Sequence, residues 1–101
     1  MTLDDYQRAA LRTINPTLTP DQRLLDAAAG LAEEAGEVLG LVRKRAFQQR
    51  ESSRDRFAEE LGDVFWCLAV TADALGLTLD EIARANQHKL EQRHPDGFHQ
   101  R

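Results

Sequence analysis

A single cysteine leaves no partner for an internal disulfide, so no disulfide framework is available and a reducing compartment suits the chain. No apolar run approaches the roughly 20 residues of a membrane-spanning helix, so no membrane partner is expected. The opening Met-Thr-Leu-Asp-Asp lacks the charged and apolar regions of a signal peptide, and the expected location is cytoplasmic. Positive charge is not in excess either. A formal net charge of -4 and an isoelectric point near 5.3 give no general attraction to nucleic acid. Internal repeats, low-complexity tracts and linkers are missing, and the 101 residues are expected to form one domain over 1–101. A lone domain of this size buries only about 60 to 70% of its chain surface, which favours an oligomer.

What the chain does have is helix punctuation. Thr2 to Thr13 reads as a first helix, capped by Thr2 with Asp5 and ended by Asn15-Pro16. Thr19-Pro20-Asp21-Gln22 starts a second with an N-cap, a proline at the first position and a capping-box glutamine, and that helix runs to about Arg45. Gln48 to Ser53 is the one loop-like break; Ser53 or Asp55 caps a third helix that stops at Gly76. Thr78 and Glu81 form the next capping box, and His94-Pro95-Asp96-Gly97 closes the pattern with turn residues. The expected fold is all-α, a bundle of about four helices.

Two acid clusters stand out within it, Glu33-Glu34-x-x-Glu37 and Glu60-x-x-Asp63. At about 100° per residue, Leu24, Leu25, Ala28, Leu31, Ala32, Ala35, Val38, Leu39 and Val42 share a broad face that reads as the core side. Ala27, Gly30, Glu34, Glu37 and Leu41 form a second stripe, with Glu33 at its rim. On the third helix Phe57, Leu61, Val64, Leu68 and Leu75 read as the core stripe, and Glu60 and Asp63 lie in line with Cys67, Val70 and Ala74. Helical glutamates commonly mark a solvated face and pair with a base one turn on. Here Glu33, Glu34, Glu37 and Glu60 are followed one turn later by Glu37, Val38, Leu41 and Val64, so these acids lack that partner. Unpaired acids on a packed stripe are costly unless a cation joins them.

Carboxylates without His or Cys suit a hard ion, Mg²⁺ or Mn²⁺, rather than zinc. Glu-x-x-Asp in place of Glu-x-x-His argues against a di-iron bundle. Mg²⁺ sites with open positions recruit substrate phosphates. Lys44 and Arg45 either complement the end of the second helix or reach such a phosphate, and Arg50, Arg54 and Arg56 either stay solvated or grip phosphate oxygens. Asn86, Lys89 and Arg93 recur on one side of the last helix, poised between a solvated helix end and anion contacts. Trp66 falls in a polar wedge and reads as an exposed subunit contact or a stacking surface, the contact favoured; Cys67 reads as a small core residue, and Tyr6 as a half-buried packing residue in preference to a ligand hydrogen-bonding group. Gly30, Gly36 and Gly40 in one helix point to close approach of another helix or a ligand.

The contexts LAEEAGEV and EELGDVFW, the later Asn86-x-x-Lys89-Leu90-x-x-Arg93-His-Pro-Asp-Gly-Phe, and the opening Asp5-Tyr6-Gln7-x-Ala9-Ala10-Leu11-Arg12-Thr13 together resemble the MazG-like nucleoside triphosphate pyrophosphohydrolases over nearly the whole chain. The resemblance implies Mg²⁺-dependent cleavage of a nucleoside triphosphate between its α and β phosphates, in a homodimer or homotetramer. By motif position it implies metal binding by Glu34, Glu37, Glu60 and Asp63, activation of water by Glu33, and contacts from Asn86, Lys89 and Arg93 to sugar or phosphates. A phosphoribosyl-ATP pyrophosphohydrolase shares the acid pair, and a catalytically silent helical module is the alternative outside enzymology.

Overall fold

The computed structural model describes residues 1–47 and 53–98. The described residues form α1 (Leu3–Leu11), α2 (Pro20–Phe47), α3 (Arg54–Ala74) and α4 (Leu79–Arg93), with no strand among them. The expected break and Arg50 fall, apart from Ser53, outside the described residues.

Local chemistry sets the boundaries. Thr2 accepts from the Asp5 N–H at 3.0 Å while the Asp5 carboxylate accepts from the Thr2 N–H at 2.9 Å, a complete capping box. Thr19 and Gln22 make the same reciprocal pair at 3.2 and 3.0 Å. Ser53 and Thr78 each accept from the N–H three residues on. α3 ends where Gly76 takes a φ of 73°, the left-handed conformation that favours glycine.

α2 and α3 pack as an antiparallel hairpin. Arg23 meets Asp73 at 3.0 Å near one end, Gly30 meets Cys67 midway, and Glu34 lies beside Asp63 and Glu60 towards the other. A Cβ at Gly30 would stand 3.1 Å from the Cys67 Sγ, so here the missing side chain permits the close approach. Among the described residues nothing crowds Gly36 or Gly40. On the other side of α3, α1 and the start of α4 pack around Ala10, Ala69, Ala72 and Leu79, with Tyr6 stacked on Phe65 at 4.6 Å between ring centroids. Buried Gln7 ties three elements together: its Nε2 donates to the Ala69 and Leu77 carbonyls, each at 3.1 Å, and its Oε1 accepts from the Leu79 N–H at 3.0 Å. From that junction α4 departs at 99° to α3.

The packed faces differ from those expected. α2 turns its small-residue stripe, Ala27, Gly30, Glu34 and Leu41, towards α3, and leaves Leu25, Ala28, Ala32, Ala35, Leu39 and Val42 exposed. On α3, Leu61 and Leu75 are exposed while Glu60, Cys67 and Val70 are buried. Small residues allow two helix backbones to come close, and the bulkier stripe stays on the outside of the hairpin. Trp66 also departs from expectation: it is half-buried against the α1 side, where its Nε1–H donates to Thr13 Oγ1 at 2.8 Å. Asp73 is half-buried and pairs with Arg23.

Candidate metal centre

The hairpin geometry brings the two acid clusters together. Glu34 from α2 and Glu60 and Asp63 from α3 each offer a carboxylate oxygen, and these three oxygens all lie within 4.8 Å of one another. Glu60 is buried, Glu34 half-buried and Asp63 exposed, so the cluster runs from the helix interface to its mouth. Oxygen donors at that separation, drawn from two rigid helices, fit a hard divalent cation whose ligand distances are about 2.0–2.6 Å.

Electrostatics support that reading. Partial burial, then the charges of Asp63, Glu60, Glu37 and Glu33, push the Glu34 carboxyl above the ordinary carboxylate range. A carboxylate held against its like-charged neighbours is a group that a cation would stabilise. Glu60 is not without a partner, however. The Arg56 guanidinium lies 3.1 Å from it, one turn back along α3 rather than one turn on. That corrects the expectation of an unpaired acid, and the signal was present in the sequence at i, i+4 in the reverse order.

The remaining expected residues are placed as follows. Glu33 and Glu37 are exposed on α2 beside the cluster, outside the group of three. Lys44 is exposed in the last turn of α2. Asn86, Lys89 and Arg93 are exposed on α4, which packs against α1. The groove over the acids has a volume of about 310 Å³ and is lined by Asp26, Gly30, Glu34, Asp63, Trp66 and Cys67, with no α4 residue among them. The sequence reading missed Asp26 and Trp66 as groove walls, although Asp26 stands four residues before Gly30 and Trp66 three after Asp63, spacings that put each on the flank of a groove residue. Burial, followed by the charges of Glu34 and Asp63, pushes the Cys67 thiol up, so it stays protonated beside the acids.

The described residues thus form an all-α protein whose central hairpin carries an oxygen-only acid cluster, with no His or Cys donor in the group. The chain belongs to the family of the MazG nucleotide pyrophosphohydrolase domain, whose sequence model matches residues 22–98. The uncharacterized protein YvdC of Bacillus subtilis (strain 168) is 38% identical over 72 residues, covering 62% of this chain and 68% of its own. The gene 37 protein of Mycobacterium phage L5 is 35% identical over 72 residues, and the match covers 67% of this chain and 63% of that protein. No solved structure matches the chain.

Proposed function

We propose that the protein is a Mg²⁺-dependent nucleoside triphosphate pyrophosphohydrolase that cleaves between the α and β phosphates, releasing the monophosphate and pyrophosphate. The observation that carries this reading is the meeting of Glu34, Glu60 and Asp63 oxygens within 4.8 Å across the α2–α3 hairpin, in a chain of this family. Glu34, Glu60 and Asp63 hold the cation, Mg²⁺ or in its place Mn²⁺, and Glu37, exposed nearby on α2, completes the ligand set from the mouth of the groove. When bound, the cation neutralises phosphate charge and polarises the α phosphorus. Glu33, at the rim, orients the attacking water and accepts its proton.

The developing negative charge also needs cationic donors, and among the described residues no Lys or Arg lines the groove of a single chain. Lys44 on α2 and Asn86, Lys89 and Arg93 on α4 are assigned to sugar and phosphates, the α4 groups being supplied by a second copy in a homodimer or homotetramer. The exposed apolar stripe of α2 supports that assembly: Leu25 is 71% exposed and Leu39 58%, which is apolar area a lone helix gains nothing by showing to water. Glu60→Gln and Asp63→Asn are expected to abolish metal-dependent turnover while far-UV circular dichroism stays helical. Full activity in either variant contradicts the site.

A further inference from the structure

Trp66 is the one aromatic lining residue of the groove, and neither the acid chemistry nor the small-residue packing accounts for it. It follows Asp63 by three positions on α3, so indole and carboxylate share a flank of the helix. The floor beside it is made of Gly30 and Cys67, where a Cβ would already stand 3.1 Å from sulfur, so no bulky side chain fills that space. A groove of about 310 Å³ lies at the lower end of ligand-sized clefts, roughly 300–1,000 Å³. Its lining combines the carboxylates Asp26, Glu34 and Asp63 with the indole of Trp66 and the small residues Gly30 and Cys67.

The indole is also held in place. Its Nε1–H donates to Thr13 Oγ1 at 2.8 Å, the Thr13 hydroxyl donates to the Ala10 carbonyl at 2.7 Å, and the ring packs against the core on the α1 side. A ring fixed before binding loses little freedom when a ligand stacks on it. Nothing else lining the groove offers a flat apolar area.

We propose that Trp66 is the platform on which the base of the nucleotide stacks, next to the phosphates held over Glu34 and Asp63. This rests on the proposed pyrophosphohydrolase reading and adds the base-binding group to it. Stacking on an aromatic face tolerates any base, so the platform supplies affinity for nucleotides as a class, and hydrogen bonds elsewhere would have to choose among them.

The test uses the fact that Trp66 is the sole tryptophan. At fixed Mg²⁺, a non-hydrolysable nucleoside triphosphate is expected to quench its fluorescence saturably, whereas inorganic tripolyphosphate, which has no base, leaves it unchanged. In turnover, Trp66→Leu should lower kcat/KM about tenfold or more, carried by KM, and Trp66→Phe should recover most of it. Equal responses to nucleotide and tripolyphosphate, or an unchanged KM in Trp66→Leu with hydrolysis proceeding, overturns the platform alone. If wild-type protein neither binds nor hydrolyses any nucleotide, the platform and the pyrophosphohydrolase reading fall together. Should Trp66→Leu not fold, the wild-type fluorescence comparison decides.

Discussion

At the proposed metal site, Glu34 is where stability and function would pull in opposite directions. Its carboxyl is raised above the ordinary range, so over the pH window between its unfolded and folded values the folded chain binds more protons than the unfolded one. Stability of the metal-free protein therefore falls as pH rises through that window, and above it the full cost of holding the charge persists. Glu34→Gln is expected to raise the metal-free melting temperature at neutral pH while lowering metal-dependent turnover by more than about a hundredfold. Differential scanning fluorimetry and a turnover assay check both, and a lower melting temperature would mean the acid is satisfied without a cation. The rise in melting temperature caused by Mg²⁺ should likewise grow as pH climbs through the same window. The Cys67 thiol, buried and facing acids, should resist alkylation at mildly alkaline pH in the folded protein and react freely in denaturant. At this scale the acid residues were legible in the sequence, since their spacing alone placed Glu60 and Asp63 on one line. The Arg56 partner of Glu60 was not, because the expected pairing was sought one turn on and the guanidinium comes from one turn back.

Among the helices, boundaries were the most legible feature. Thr2 with Asp5, Thr19 with Gln22, Ser53 and Thr78 all cap where the sequence placed them, because a cap is a contact between residues at most three apart. Faces were less legible. Periodicity found the Leu25–Leu39–Val42 stripe and the Ala27–Gly30–Leu41 stripe but could not say which one meets α3, since that depends on how closely the backbones approach. Gln7 was read only as part of a family motif, yet it joins α1 to the α3–α4 corner through two donated bonds and one accepted one. Gln7→Leu leaves two carbonyls and the Leu79 N–H without their partner and should destabilise the fold by about 2–4 kcal/mol. Urea denaturation measures this, and a loss below about 0.5 kcal/mol would show that water reaches these groups.

For the whole molecule, a radius of gyration of 16.4 Å exceeds the roughly 13 Å of a compact chain of about 100 residues. The excess fits a long hairpin of 28- and 21-residue helices from which α4 leaves at 99°. If the exposed apolar residues of α2 form the contact between copies, Leu39→Glu should shift the protein to a smaller species in sedimentation velocity, and an unchanged coefficient would place the interface elsewhere. The same angle explains why Asn86, Lys89 and Arg93 could be named from the sequence but not located, because the path of α4 is set by a junction and not by its own spacing. The most direct test of the central claim is pyrophosphate release by the wild-type protein, with and without Mg²⁺, across ribo- and deoxyribonucleoside triphosphates with phosphoribosyl-ATP alongside. Metal-dependent release from at least one triphosphate is the predicted result; no release from any of them by folded protein, or release from phosphoribosyl-ATP alone, would contradict it.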